Sequence, residues 1–264
     1  MSIIYKGREI KYIASDLDGT LLFDEGHELE QEVYDVIEKI IDKDVLFIVA
    51  SGRTYTNELE IMEPLKDKIS FIASNGVTCY HKGKQLFDNV IDKEHALKIF
   101  ELVNEKQLGH LFVSCNSQLY SASKDEKFIH HMNEDLHLYM KLVDDLNEIN
   151  QPIDKISIFN EDGYQSVLPT LKDGLPDIKV VSSGNQWIDF LPFGVNKGNA
   201  LKHLLKEVGL ELEDGIAFGD QDNDIEMVSE AGIGFGMKSG TPSLKASADE
   251  IVTSAIEKLK EIVA

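Results

Sequence analysis

The chain has 264 residues, of which 42% are hydrophobic, and its formal net charge is -21, from 47 acidic and 26 basic residues. This length suits one large domain or two modest ones, and the apolar content is sufficient for folded cores. The acidic excess argues against binding to nucleic acid or to anionic membranes, because both depend on clusters of Lys and Arg. An anionic ligand would therefore have to be attracted by local features of a site, against the overall field.

The number of cysteines and the lengths of the hydrophobic segments indicate the cellular compartment in which the protein works. Only Cys79 and Cys115 are present, and they do not form a Cys-x-x-Cys pair, which predicts a reducing environment. Residues 1–11 contain no apolar stretch of signal length, and no run approaches the ~18 residues of a membrane span. We therefore expect a cytoplasmic protein without membrane contact, either a monomer or a small homo-oligomer.

The first chemical motif follows the first predicted buried strand. The apolar run from Tyr12 leads directly into Asp16-Leu17-Asp18-Gly19-Thr20. An apolar run followed by Gly is typical of a parallel strand ending in a tight turn, and ligands bind at that end in open α/β folds. The two carboxylates can converge on one substrate, one as a nucleophile and the other as an acid. Taken alone, the segment could equally be a polar turn.

The next elements predict a β–α–β unit with a parallel sheet. Apolar residues recur with helical spacing over 33–41, and a strand is predicted over 45–49. This strand leads into Ala50-Ser51-Gly52-Arg53, where the Ser51 hydroxyl and the N–H groups of the turn can donate to phosphate oxygens. The same pattern is also common as an ordinary helix cap. A further strand over 69–73 ends at Ser74-Asn75-Gly76.

Residues 83–187 are predicted to form a domain inserted into the core. After a hairpin signal at 80–85, the predicted helices and strands alternate: helices near 94–105, 125–134 and 163–171, and strands near 110–115, 118–121, 155–159 and 178–182. An insertion of this size should carry its own core, and none of the chemical motifs falls in it. We expect a mobile cap, with residues 1–82 and 188–264 as the core and Trp187 packed at the junction.

Two further motifs follow the insertion. Lys197 stands between Asn196 and Gly198 at the start of an amphipathic helix, where its ammonium group and the positive end of the helix dipole can meet an anion. Beyond a strand-like run, oxygen ligands suited to Mg²⁺ cluster in the segment 219–224. An EF-hand is excluded, because Ile225 and Ala231 occupy the positions where that loop needs Gly and Glu.

Together, and in this order, these segments resemble the haloacid dehalogenase superfamily of aspartate-nucleophile phosphotransferases, and more closely its Cof-type phosphatases. The matching motifs are Asp16-x-Asp18-Gly19-Thr20, Ala50-Ser51-Gly52-Arg53, Ser74-Asn75-Gly76, Asn196-Lys197-Gly198 and Gly219-Asp220-x-x-Asn223-Asp224. Ser51 stands where many relatives have Thr, a change that keeps the hydroxyl. The resemblance implies an α/β fold, with a Rossmann-like parallel-sheet core and an inserted α/β cap of the C2 type.

The resemblance also implies a Mg²⁺-dependent phosphatase that acts on a small phosphorylated metabolite, such as a sugar phosphate. Asp16 is the expected nucleophile, which forms an aspartyl-phosphate, and Asp18 is the expected acid and base. Mg²⁺ is expected on the Asp16 carboxylate, the Asp18 carbonyl and Asp220, while Asp224 is expected to orient Lys197 or a water. The residues expected to contact phosphate are Leu17, Ser51, Gly52, Lys197 and Asn223.

Two alternatives remain open at the level of the sequence. A phosphomutase of the same superfamily would use the same residues and return the phosphoryl group to a second position on its substrate. A noncatalytic sugar-phosphate sensor built on this fold would not need the acid Asp18, which argues against it. The inserted domain carries no pattern that identifies the substrate.

Overall fold

The computed structural model describes residues 2–23, 28–115, 118–176, 178–182, 185–192 and 194–264. The chain divides into two compact units, a first unit of Met1–Asp88 with Asn196–Ala264 and a second unit of Asn89–Val195. The expected boundaries at 82/83 and 187/188 lie earlier in the chain than these. The reason is that residues 84–88 pair within the sheet of the first unit, whereas residues 187–191 pair within that of the second.

The described residues form the following strands and helices, given in chain order. Before the second unit these are β1 (Ile3–Tyr5), β2 (Arg8–Ile10), β3 (Tyr12–Ser15), α1 (Gln31–Ile41), β4 (Leu46–Ala50), α2 (Tyr55–Ile61), β5 (Ser70–Ala73), β6 (Thr78–His81) and β7 (Lys84–Asp88). The second unit contains α3 (Lys93–Lys106), β8 (His110–Cys115), β9 (Gln118–Ser121), α4 (Glu126–His130), β10 (Met140–Leu142), β11 (Lys155–Phe159), α5 (Leu168–Gly174), β12 (Lys179–Ser182) and β13 (Trp187–Leu191). The first unit then resumes with α6 (Lys197–Glu207), β14 (Gly215–Gly219), α7 (Ile225–Glu230), β15 (Ile233–Met237), α8 (Pro242–Ser247), β16 (Glu250–Val252) and α9 (Ala255–Val263). None of the helices in these described ranges is long and apolar enough to cross a membrane.

The main sheet of the first unit has the strand order β16-β15-β14-β3-β4-β5-β6-β7. The pairings from β16 through β5 are parallel, and β6 and β7 continue the sheet as an antiparallel hairpin. All four residues of β3 are buried, as expected for a parallel strand covered on both faces. Because β3 lies between β4 and β14, the segments that follow these three strands emerge side by side at one edge.

Two hydrophobic clusters cover the two faces of this sheet. One face packs against α1 and α9, and its cluster includes Ile13, Phe47, Phe218, Val36, Ile37 and Leu259. The other face packs against α6, α7 and α8, and its cluster includes Ala14, Ile48, Ala217, Leu201, Met227 and Leu244. Consecutive residues of a strand point to opposite faces, so a continuous apolar strand such as β3 or β4 contributes to both clusters.

The second unit has a sheet and a core of its own. Its strand order is β10-β9-β8-β11-β13-β12, with all pairings antiparallel except that between β9 and β10. Helices α3 and α5 contribute Ile99, Val103 and Leu171 to its hydrophobic cluster. The expectation for Trp187 needs correction, because this residue begins β13 and its ring lies 4.9 Å from that of Phe159 within the second unit.

Candidate active site

Three carboxylates come together at the carboxyl edge of the main sheet. Asp16 follows β3 and Asp220 follows β14, and these strands are neighbours. With Asp224 they form a buried carboxylate cluster, in which one oxygen from each residue lies within 4.8 Å of the others. The fold thus brings together three residues that the sequence placed in two separate motifs.

Lys197 is fully buried and is bonded to two members of this cluster. Its Nζ donates to Asp16 Oδ1 and to Asp224 Oδ1, each at 2.6 Å. Helix α6 begins at Lys197, and its cap Asn196 accepts a hydrogen bond from the N–H of Asn199, which fixes the helix start. Burial alone would lower the pKa of Lys197, but Asp16 and Asp224 outweigh burial and raise it. The two carboxylates therefore favour the charged form of Lys197.

The second oxygen of Asp224 is bound by the main chain of its own loop. Its Oδ2 accepts from the N–H groups of Asp220 and Gln221, both at 3.0 Å. Gly219 leaves the necessary room, since a Cβ there would lie 2.4 Å from that of Asp224. Asp224 thus ties the loop that carries Asp220 to Lys197.

The cluster leaves two carboxylate oxygens without a hydrogen-bond partner among the described residues, Asp16 Oδ2 and Asp220 Oδ1. Burial raises the pKa of Asp16 well above its usual range, opposed by Lys197 and reinforced by the other two acids. Burial and the neighbouring Asp224 raise the pKa of Asp220 to about 6. Buried polar atoms normally have partners, and orphaned oxygens on crowded acids fit a hard divalent cation.

Asp18 has a different environment, because its carboxylate is bonded to Arg53. Arg53 Nε donates to Asp18 Oδ2 at 2.8 Å and Nη2 donates to Oδ1 at 2.7 Å, a bidentate pair. The Asp18 side chain is 48% exposed and its carboxylate is not part of the buried cluster. The sequence motifs predict no role for Arg53. Its position two residues after Ser51, in the same predicted turn, is the only local feature that places it near the site.

The turn after β4, Ser51-Gly52-Arg53, is called the phosphate turn below because phosphate contacts are expected from it. Ser51 is buried, and its Oγ accepts from the N–H of Arg53 at 3.1 Å. In the neighbouring turn after β3, the carbonyl of Leu17 accepts from the N–H groups of residues 20–22. A phosphate contact from Leu17 would therefore have to come from its own N–H group.

Two further residues of this region had no predicted role. Asn75 Oδ1 accepts a hydrogen bond from Nδ2 of the predicted site residue Asn223 at 2.7 Å. Glu58, on α2, is fully buried, and neither of its carboxylate oxygens has a hydrogen-bond partner among the described residues. The Ser-Asn-Gly segment at a strand end was a signal for Asn75. No sequence pattern indicates a role for Glu58, because a charged residue in a helix is usually exposed to solvent.

Comparisons with known proteins find relatives that match nearly the whole chain. The phosphatase YbjI of Escherichia coli (strain K12), named for 5-amino-6-(5-phospho-D-ribitylamino)uracil, is 27% identical over 241 residues, 90% of this chain and 89% of that protein. YcsE of Bacillus subtilis (strain 168), named for the same substrate, is 27% identical over 258 residues, 97% of this chain and 95% of that protein. A crystal structure from Eubacterium rectale is 26% identical with a TM-score of 0.86, covering 96% of this chain and 98% of that one.

The sequence profile of the haloacid dehalogenase-like hydrolase family matches residues 13–258. Together with these relatives, the match confirms the resemblance found in the motifs, the fold that it implies and the expectation of a phosphatase enzyme. The profile begins within β3, next to the candidate nucleophile, and ends within the last helix, so it includes the whole carboxylate cluster. Over nearly its full length, the chain therefore belongs to the haloacid dehalogenase-like hydrolases.

Proposed function

We propose that the protein is a Mg²⁺-dependent phosphatase that hydrolyses small phosphorylated metabolites through an aspartyl-phosphate intermediate. The observation that carries the proposal is the buried carboxylate cluster, in which Lys197 bonds Asp16 and Asp224 while Asp16 and Asp220 each keep an oxygen without a hydrogen-bond partner among the described residues. The names of YbjI and YcsE, both phosphatases of a phosphoribityl compound, support the same chemistry.

In the proposed first step an Asp16 carboxylate oxygen attacks phosphorus, and the bond between phosphorus and the ester oxygen breaks. Asp18 gives its proton to the departing oxygen, so the product leaves as a neutral alcohol. In the second step water attacks the aspartyl-phosphate and gives a proton to Asp18. Inorganic phosphate departs, and both aspartates return to their initial states. Lys197, at 2.6 Å from Asp16, holds the attacking group in place throughout.

Charge stabilisation would come from the residues around the phosphate. Ser51, the N–H of Gly52 and Lys197 are proposed to face the equatorial oxygens as charge develops on them. Asp16, the carbonyl of Asp18 and Asp220 would hold Mg²⁺. When bound, this ion supplies positive charge that offsets the repulsion between the carboxylates and the phosphate.

The Arg53 contact constrains the acid–base role of Asp18. Both Asp18 oxygens accept hydrogen bonds from Arg53, as an ionised carboxylate does. At least one of these bonds must therefore open, and the freed oxygen must take up a proton from water, before Asp18 can act as the acid. Arg53 carries a full charge and is itself held by Asn57 Oδ1 at 2.8 Å. We propose that arrival of the phosphate anion draws the guanidinium away from Asp18.

We also propose that the second unit selects the substrate, as a cap inserted into the catalytic unit. Its separate sheet and hydrophobic cluster, and the absence of any of the site motifs from its described residues, support this role. Replacing residues 89–195 by a short linker should change the ranking among metabolites far more than it changes turnover of p-nitrophenyl phosphate. If a replaced chain that is shown to be folded keeps the original ranking, specificity resides in the catalytic unit.

A phosphate-release assay on the purified full chain tests the proposed reaction. The panel should include sugar phosphates, a phosphorylated sugar alcohol, nucleotides and cofactor phosphates, each with Mg²⁺ and with EDTA. We expect free phosphate from one class of compound, only with Mg²⁺, and none from an Asp16→Asn control. Phosphoryl transfer that needs a bisphosphate activator would identify a phosphomutase instead, and tight binding without turnover would identify a sensor.

A further inference from the structure

The turn that follows β5, Ser74-Asn75-Gly76, has an unusual backbone. Ser74 and Asn75 both lie in the left-handed region, with φ of 50° and 59°, which residues other than Gly rarely adopt. Their N–H groups donate to the carbonyls of Arg53 at 2.7 Å and Ser51 at 2.9 Å. A strained turn bonded at two points to the phosphate turn indicates that this geometry serves the site.

The Asn75 side chain lies between the phosphate turn and the loop after β14. It is 1% exposed, and its Oδ1 accepts from Asn223 Nδ2 at 2.7 Å. Its amide also lies close to Gly52, because a Cβ built at Gly52 would be 3.3 Å from Asn75 Oδ1 and 3.4 Å from its Nδ2. Gly52 therefore leaves just enough room for the Asn75 amide to reach Asn223.

This contact determines which end of the Asn223 amide is available to the site. With Nδ2 donating to Asn75, Asn223 Oδ1 remains as an acceptor, and it is buried without a partner among the described residues. A carbonyl oxygen accepts hydrogen bonds and cannot donate one. In this orientation Asn223 can receive a hydrogen bond from a water or from a protonated phosphate oxygen.

We propose that Asn75 is a positioning residue of the reaction, which acts by holding the Asn223 amide with its oxygen turned toward the substrate. This inference rests on the proposed phosphatase function. The effect of Asn75 on the reaction passes through its contact with Asn223. The position requires a residue that tolerates the left-handed backbone and carries an acceptor at the end of a short side chain, a combination that Asn provides.

The test measures the cost of Asn223→Ala in three backgrounds: the wild-type chain, Asn75→Asp and Asn75→Gly. Asp keeps the acceptor for Asn223 Nδ2, whereas Gly keeps the backbone conformation and removes the acceptor. We expect Asn75→Gly alone to lower kcat/KM by about 10- to 100-fold. Asn223→Ala should cost the same factor in the wild-type and Asn75→Asp backgrounds, and less than about threefold after Asn75→Gly. Comparing costs within each background cancels the effect of the added Asp charge.

The same comparison on the dissociation constant of orthovanadate gives a readout that does not depend on turnover. If no metabolite is hydrolysed, the phosphatase proposal fails, while vanadate binding still decides the role of Asn75. Lys82→Gly is the matched control, because Lys82 also has a left-handed backbone, with φ of 47°, in the β6–β7 turn, and it should leave both quantities unchanged. An unaltered Asn75→Gly variant overturns the inference. The inference is also overturned if Asn223→Ala still costs more than threefold in the Asn75→Gly background. It is likewise overturned if the cost of Asn223→Ala disappears in the Asn75→Asp background.

Discussion

The two oxygens of Asp16 have different environments. Oδ1 is bound by Lys197 at 2.6 Å, whereas Oδ2 is buried without a hydrogen-bond partner among the described residues. Asp16→Asn keeps the shape of the side chain and removes the charge needed for attack. Turnover should fall more than about a thousandfold, a barrier increase of about 4 kcal/mol, while circular dichroism shows an intact fold. Residual turnover above that level would exclude Asp16 as the nucleophile.

Glu58 should make the protein less stable as the pH rises. Burial raises its pKa well above the usual 4.5, opposed by Lys197 and reinforced by Asp16. Because the folded chain then binds a proton that the unfolded chain releases, the contribution of Glu58 to the free energy of unfolding is highest below pH 4.5 and falls as the pH rises to the folded-state pKa. Glu58→Gln removes this titration and should recover about 1.4 kcal/mol for each unit by which the pKa is raised.

Urea unfolding between pH 4 and pH 8 measures the effect of Glu58. The matched control is Glu60→Gln, since Glu60 lies on the same helix and is exposed. If wild type, Glu58→Gln and Glu60→Gln lose stability in parallel as the pH rises, Glu58 is not a buried titrating group.

Local sequence patterns mark some residues of the site, whereas others can be recognised only from the folded structure. Asp16, Ser51 and Asp220 follow apolar runs, and the ends of neighbouring parallel strands meet at one edge of a sheet, so local patterns predicted their neighbourhood. Glu58 lies within a helix, and nothing local distinguishes its buried side from an exposed one. The pairing of Asp18 with Arg53 likewise depends on how β3 and β4 are aligned.

At the scale of elements, the turn after β5 should be intolerant of any side chain at Gly76. This residue has φ of 96°, and a Cβ there would lie 2.4 Å from the carbonyl oxygen of Asn196, the cap of α6. Gly76→Ala should therefore displace the start of the helix that carries Lys197 and destabilise the fold by about 1–3 kcal/mol.

Gly83→Ala is the control for Gly76→Ala. Gly83 also has a positive φ, of 75°, but no atom of the described residues lies within 4 Å of a Cβ built there. Both variants carry backbone strain, and only Gly76→Ala adds the steric clash. Chemical denaturation should therefore show a larger loss for Gly76→Ala, accompanied by lower activity; equal losses would mean that the contact with Asn196 is not limiting.

The sequence patterns predicted individual strands and helices better than they predicted which neighbouring strands these elements pair with. The hairpin signal at 80–85 corresponds to β6 and β7, joined by a two-residue turn whose φ values are both positive. A hairpin pattern does not say which sheet edge it extends, and for this reason β7 was assigned to the wrong domain. The helix predicted over 125–134 is regular only to His130 and continues as a wider turn over 131–135, because spacing alone does not reveal a change in hydrogen-bond register.

For the whole molecule, we expect divalent cations to raise the free energy of unfolding by binding at the buried carboxylate cluster. The net charge of -21 and the buried cluster of three acids both favour cation binding, but only the cluster is specific. Mg²⁺ at a hundred times its dissociation constant should add about 2.7 kcal/mol to the free energy of unfolding. Because the pKa of Asp220 is about 6, protons should compete with the cation below that pH and reduce the gain.

Thermal melts with Mg²⁺ or EDTA, at pH 5 and at pH 7.5, check this expectation. Sodium chloride at matched ionic strength controls for screening of the surface charge. Asp220→Asn should lose the Mg²⁺ gain and its pH dependence. An undiminished gain in this variant would place the stabilising cation elsewhere on the acidic surface.

The position of β3 between β4 and β14 also affects how the enzyme is made. β4 follows β3 closely in the chain, but Lys197 is 181 residues from Asp16, and it and β14 are synthesised only after the inserted unit. A ribosome adds about 5–20 residues per second, so the nascent chain displays Asp16 for seconds without its cation and without its second neighbouring strand. We therefore expect Asp16, the proposed nucleophile, to be inert on the ribosome, and one edge of β3 must be kept from other unpaired strands until β14 emerges.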